Sequence, residues 1–347
     1  MKRVDMSVRT TTGKGAEAVA PTRPGARRWT SRIEAGALPV AWLVVFVVFA
    51  VLLPNTFLST ASISNILGSQ AVPLVLTLSL VLPLVCGDYD MSVASVATLT
   101  AMVIGILNVN HGWSIGAAIA AGLVAALLAG LVNGAVIVLF GVDSLIVTLG
   151  TGTVIQGLVL WISDSTTISG ISTSLVDLVI GYKLFSVPAA FYYGLVLCIV
   201  LWYLLQHTAL GMRMLFVGRG RDVARLSGIK VGRVRMGALV ASAGLAGVAG
   251  TLYAGTTGSA DPSSGTSFLL PAFAAVFLGA TTVIPGRFNA WGAFIAVYFL
   301  ATGITGLQLL GAESFVQQLF YGGALVIAVS LAQLARRREA SSAGTAT

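Results

Sequence analysis

Charged residues interrupt the apolar positions of this chain so rarely that the gaps between them map its elements. Residues 35–87, 91–142, 144–163, 184–212, 236–260, 262–286, 288–312 and 314–335 contain no Asp, Glu, Lys or Arg. A charge at mid-bilayer costs about 3 kcal/mol on insertion scales, so each stretch predicts at least one membrane crossing. The first two exceed 50 residues and hold two crossings each. Pro54-Asn55 breaks the first, and Asn108, Asn110, His111-Gly112 and Trp113 break the second. Crossings are expected near 37–53, 66–86, 91–108, 115–139, 144–163, 189–206, 236–256, 268–284, 290–308 and 315–333, ten in all.

Composition supports the pattern. Of 347 residues, 56% are hydrophobic and 9% charged, whereas soluble domains carry about 25% charge. The net charge of +8 would suggest nucleic acid in a soluble protein, but the positions of the charges exclude it. An even number of crossings puts both termini on one side. With ten crossings, 19 of the 20 Lys and Arg residues fall on that side, leaving Lys183 opposite. The positive-inside rule makes the basic side cytoplasmic. The chain is therefore expected to be an all-α integral membrane protein with about ten transmembrane helices and both termini cytoplasmic. Residues 1–34 read as a disordered basic cytoplasmic arm, 35–335 as the membrane domain and 336–347 as a cytoplasmic tail. Arg27-Arg28 is not read as a twin-arginine export signal, because no cleavage site follows and nine more crossings do.

Several chemistries are missing from the sequence. Gly13-Lys14 is followed by Gly15 rather than Ser or Thr, and neither Gly218-Arg219-Gly220 nor Gly150-Thr151-Gly152 has the third glycine of a dinucleotide loop. The chain therefore cannot hydrolyse ATP by itself. Cys86 and Cys198 lie in apolar runs and His111 and His207 fall on opposite faces, so no metal site and no catalytic residue is assigned. An ion-coupled carrier would place carboxylates, His or Lys within the spans. Here Asp88, Asp90, Asp143, Asp164, Asp177, Asp261 and Glu313 sit at crossing ends. The energy for any transport must come from elsewhere.

Four groups of residues remain. In the 207–235 loop, Asp222 can start a short helix whose apolar edge is Val223 and Leu226, flanked by Arg219 and Arg225, with Ser227-Gly228 closing it. Such a helix suits a groove on a soluble partner, and an ordinary basic loop is the alternative. The turn Gly87-Asp88-Tyr89-Asp90-Met91-Ser92 reads either as a solvated turn in which Asp90 or Ser92 caps the next helix, or as a gate or docking contact. Asn133, Thr148, Thr151 and Gln156 put polar groups inside the fourth and fifth crossings, where they must face a polar path or neighbouring helices. Gly130 with Gly134, and Gly244, Gly247 and Gly250, have the spacing of close helix packing.

On these residues the chain resembles, over roughly 60–335, the permease subunits of ABC importers of the ribose and simple-sugar type, in the superfamily that includes branched-chain amino-acid permeases. Gly87 to Ser95 is similar to that family's Gly-Glu-Phe-Asp-Leu-Ser-Val-Gly-Ser signature, with Asp88, Tyr89, Met91 and Ala94 as departures. Asn133-Gly134 with 146–151, Ala224 with 227–229, Leu278-Gly279-Ala280-Thr281 with Gly286-Arg287 and Gly292, then Gln317 and Gly322, follow in the family's order. Pro285 and Phe288 replace glycine-like positions. The resemblance implies a type II importer fold, with a gate formed by the signature and the Gly286-Arg287 turn. It also implies a second permease copy or paralogue, two cytoplasmic ATPase subunits carrying ATP and Mg²⁺, and an extracytoplasmic solute-binding protein. This chain would bind no cofactor. The loop around 218–233 would couple to the ATPase and the solute would be small and polar. A sugar is the first reading, a branched-chain amino acid or other small solute the alternative, and an ion-coupled secondary carrier the more distant one. The location implied is a bacterial inner membrane.

Overall fold

The structure, a computed structural model, describes residues 24–344. Residues 1–23 of the expected arm lie outside the described residues. The described residues are mostly helical. The order is α1 (Pro24–Leu52), α2 (Pro54–Phe57), α3 (Thr60–Ser69), α4 (Ala71–Val85), α5 (Val93–Gly105) with a π-helical turn Ile106–Asn110, α6 (Ile115–Leu139) and α7 (Ser144–Ile162). There follow α8 (Thr173–Val176), α9 (Ala189–His207), α10 (Ala209–Arg219), α11 (Arg221–Leu226), α12 (Val231–Thr257), α13 (Ser264–Gly279), α14 (Ala290–Leu309) and α15 (Ser314–Gly344). Two-residue strands complete it: β1 (Ile168–Ser169) pairs antiparallel with β4 (Ser259–Ala260), and β2 (Lys183–Leu184) with β3 (Val187–Pro188).

Among the described residues eight helical stretches are long and apolar enough to cross a membrane, and shorter apolar helices at Ser264–Gly279 and Ser314–Ser330 occupy the other two charge-free stretches. The breaks fall where expected. Pro54 starts α2, where its missing N–H is no loss, and Ser59 caps α3 by accepting the Ser62 N–H at 3.2 Å. Leu128, Val132, Phe140, Ile146, Val154, Trp161 and Val200 point outward from α6, α7 and α9. In water so large an apolar surface would drive association, whereas in hydrocarbon it is the ordinary outer face.

The centre of the bundle is α4, apolar all round and buried along nearly its whole length, with α9, α12, α13 and α14 against it. Its Thr77 and Ser79 hydroxyls donate to the Pro73 and Leu76 carbonyls, so no hydrogen-bonding group is orphaned there. Small residues let α12 lie directly on α5 and α6. A methyl at Gly250 would meet the Ala97 carbonyl, and one at Gly130 would stand 2.6 Å from the Ala243 Cβ.

Helix α1 already starts at Pro24, inside residues 1–34 expected as a disordered arm, α15 runs to Gly344, inside the expected tail, and three further boundaries depart from the sequence pattern. The 207–235 loop holds a full helix, α10, whose Thr208 cap accepts the Gly211 N–H at 3.3 Å. Helix α12 begins at Val231 and so carries Arg233 and Arg235, which the charge rule had assigned to the loop. Helix α13 stops at Gly279 rather than continuing to 284, because Asn289 rewards a turn. Its amide donates to the carbonyls of Gly279, Thr282 and Arg287 at 3.0–3.3 Å.

Candidate functional site

Between α4 and α5 the chain reverses in a tight, buried turn. Pro83 lies inside the last turn of α4, and its carbonyl accepts the amides of both Cys86 and Asp88. Gly87 adopts a φ of +76°, which turns the chain back toward the bundle. Asp88 is 1% exposed. Its carboxylate accepts from Arg235 Nε at 2.7 Å and Nη2 at 2.6 Å, and from Arg221 Nη2 at 2.9 Å. Arg221 also reaches the Gly87 carbonyl at 3.2 Å. Arg235 is 12% exposed and Arg221 44%. One carboxylate thus fastens three elements: the turn, the short helix α11 and the first turns of α12.

Asp90 is equally buried and holds a second network. Its Oδ1 accepts the Ser92 hydroxyl at 2.6 Å and the Ser92 N–H at 3.1 Å, and its Oδ2 accepts the Ser242 hydroxyl at 3.0 Å. Asn133 donates to Ser92 Oγ at 2.8 Å, and Thr151 donates to Asn133 Oδ1 at 2.6 Å. Alongside, Ser144 Oγ accepts the Tyr89 N–H and Thr148 Oγ1 the Met91 N–H, both at 3.0 Å. Burial pushes the Asp90 carboxyl up from its ordinary value, against the hydrogen bonds from Ser92 and Ser242 that pull it down.

The solvated-turn reading is therefore overturned. Ser92 does stand at the start of α5, yet its hydroxyl caps no amide and serves Asp90 instead. The carboxylates are tolerated because they are partnered. Of the residues with a possible path role, Asn133, Thr148 and Thr151 converge on this turn, whereas Gln156 donates to the Pro262 carbonyl at 2.7 Å, away from it.

Helix α11 forms much as the residues suggest, with Asp222 in its first turn and Arg225 in its last. Ala224 is buried, while Val223 and Leu226 are 65% and 90% exposed. Ser227 returns its hydroxyl to the Val223 carbonyl. Gly228, at a φ of +80°, lets the Ile229 N–H close back on the Ala224 carbonyl at 3.0 Å. Gly218 in α10 lies against the Val85 carbonyl so closely that any side chain there would collide with it. Arg219 and the Gly286-Arg287 turn meet across a cavity beside Gly87. All the coupling and gate residues singled out in the sequence thus lie at one end of the bundle.

Arg221, Arg235, Ser242, Ser144 and Asn289 went unnoticed in the sequence. The only available signal was for Arg221 and Arg235: two basic residues on a loop that resembles a coupling element, with two carboxylates at a crossing end that need partners.

Most of the chain is similar to known proteins. A family described as branched-chain amino acid transport system / permease component matches residues 62–329. The ribose import permease protein RbsC of Bacillus subtilis is 33% identical over 84% of this chain and 91% of its own length. The D-allose transport system permease protein AlsC of Escherichia coli is 26% identical over 84% and 89%. The L-arabinose ABC transporter permease protein AraH of Azospirillum brasilense is 27% identical over 92% and 94%. No solved structure matches. The resemblance carried by the 87–95 turn and the motifs after it is borne out, and the chain belongs to the family of branched-chain amino acid transport system permease components, as a multi-pass membrane transport subunit and not an enzyme.

Proposed function

We propose that this chain forms the translocation path of an ATP-driven importer for a sugar, in a bacterial inner membrane. Ten crossings keep both termini cytoplasmic, and a second copy or paralogue completes the path. ATP and Mg²⁺ reside on two ATPase subunits, and an extracytoplasmic binding protein delivers the solute to the end bearing Asp164, Asp177 and Asp261. The sugar assignment is supported by relatives named for ribose, allose and arabinose.

The observation that carries the reading is the three-way junction at Asp88. Helix α11 presents Val223 and Leu226 outward, a shape that fits a groove on the ATPase. Arg219, Asp222, Arg225, Ser227 and Gly228 frame that contact. When the ATPases close, α11 moves, and the Arg221–Asp88–Arg235 ion pairs pass that movement to the turn between α4 and α5 and to α12. Gly87, Asp88, Asp90, Ser92, Gly286 and Arg287 then act as the inner gate. The Ser92–Asn133–Thr151 network sets the gate's closed position, and Thr148 and Gln156 hold the neighbouring helices.

The test is uptake by vesicles holding the permease, its ATPases and its binding protein. ATP-dependent entry of a labelled pentose or hexose is expected. Entry of leucine but no sugar would move the solute to the amino-acid branch. Accumulation driven by an ion gradient without ATPases would overturn the reading.

A further inference from the structure

A cavity of about 260 Å³ opens between the ends of α4, α9 and α10 and the turn before α14. Arg219, from the last turn of α10, and Arg287, from that turn, both line it. The ion pairs in the structure employ Arg221 and Arg235, and neither Arg219 nor Arg287 has a side-chain partner among residues 35–330, whose side chains are described. Two guanidinium groups around one hollow repel each other unless an anion lies between them. Leu84, Val85 and Leu205 form an apolar wall. Trp202 lines the cavity as well, its indole N–H donating to Gln206 Oε1 at 3.0 Å, which leaves the Gln206 amide N–H₂ for a ligand.

The level of the cavity selects the anion. Val85 and Gln206 are at the ends of two apolar helices long enough to cross the bilayer, so the hollow lies where helices emerge and lipid phosphates sit. Basic pockets between such helices on the cytoplasmic side, with Trp at the interface, suit anionic headgroups. The volume is below the roughly 300–1,000 Å³ that encloses a drug-sized ligand, which fits a headgroup whose chains stay outside.

We propose that this cavity binds the headgroup of an anionic glycerophospholipid, its phosphate between Arg219 and Arg287, its glycerol edge at Gln206 and its chains leaving past Leu84 and Leu205. The site rests on the reading above that this end of the bundle is cytoplasmic.

The test is native mass spectrometry of the full chain released from nanodiscs of phosphatidylglycerol and phosphatidylcholine. Wild type is expected to retain one more phosphatidylglycerol than Arg219→Gln/Arg287→Gln. The control Arg213→Gln/Arg233→Gln alters a second basic hollow that has no aromatic residue and should retain the wild-type number. Equal retention by wild type and the first variant, or equal loss in both variants, overturns the site. So does displacement of the lipid from wild type by millimolar inorganic phosphate, which would make it a free-anion site, and a measurement on wild type does not depend on the variants folding. In a parallel preparation of the permease co-purified with its ATPases, loss of those subunits from Arg219→Gln/Arg287→Gln with the lipid retained would make the cavity a protein socket and overturn the lipid assignment. Orientation is read separately, by labelling Ser227→Cys with an impermeant maleimide in inside-out and right-side-out vesicles. Labelling from the outer side would refute the functional reading whatever the lipid count.

Discussion

The two arginines on Asp88 should separate stability from coupling. Arg235 is nearly enclosed and binds the carboxylate through both Nε and Nη2, and Asp88 is sealed from solvent. Removing Asp88 strands Arg235 and costs about 3–5 kcal/mol, and removing Arg235 leaves the buried carboxylate only the more exposed Arg221, a loss toward the lower end of that range. Arg221 is far more open and makes its ion pair through Nη2 alone, in the range of about 0–1 kcal/mol once solvent screening is counted. Arg235→Gln should therefore lower the amount of folded protein in the membrane and its melting temperature in detergent, and Asp88→Asn should do so by at least as much. The double variant should be less damaged than the sum of the two, as expected for groups in contact. Arg221→Gln should leave abundance and melting unchanged within about 1 kcal/mol yet cut ATP-driven uptake several-fold, because α11 loses its tie to the turn. Fluorescence-detected size exclusion with a temperature ramp gives the first readout, and vesicle uptake the second. Equal melting losses for Arg221→Gln and Arg235→Gln would refute the burial argument. Full uptake by Arg221→Gln would refute the coupling argument.

Three further outcomes are expected. Val223→Asp with Leu226→Asp should leave melting within about 0.5 kcal/mol of wild type, since both side chains are exposed, while co-purification of the ATPases is lost. Asp90→Asn tests the raised carboxyl. A group held above its ordinary value of 3.8 binds its proton more tightly when folded, so its favourable contribution is present below that value and fades as pH rises through the higher folded one. Melting curves across pH should therefore show the variant at least as stable as wild type at pH 8, with the gap closing toward pH 4. A variant much weaker at pH 8 would show that the charged form is the one folding selects. Gly218→Val should drive α10 away from the end of α4 and cost about 1–3 kcal/mol, read as lost folded yield. An unchanged yield would show that the two elements separate freely.

The long apolar helices were legible because lipid excludes charge so strongly that its absence alone marks such a helix, and Pro54, Gly87 and Gly228 punctuate as their chemistry requires. The outline of α11 was legible for the same reason: an apolar pair between charged flanks and a glycine that ends it. What could not be read was partnership across the chain. Asp88 and Arg235 are 147 residues apart and Asp90 and Ser242 are 152 apart. Spacing along one helix reveals nothing of such pairs, and only the cost of an unpaired buried carboxylate hinted that they exist. The charge rule also erred in a physically consistent way. It treated Arg233 and Arg235 as loop residues, although an arginine in the first turns of a helix is affordable once a carboxylate meets it. It was silent on Asn289, although that side chain organises the turn.

At the opposite end of the bundle, β1 and β4 join the segment after α7 to the segment after α12, with Ile168 opposite Ala260. The Gly170 and Ile171 amides add bonds to the Gly258 carbonyl, and Asn108 Oδ1 accepts the Ser172 N–H. This clasp makes the far tips of α5, α7 and α12 a single lever arm. Those tips cannot part from one another without breaking the strand pairing or the Asn108 bond. Any movement at that end must then carry the three tips together, with the bend left to the other end, where the ion pairs at Asp88 sit.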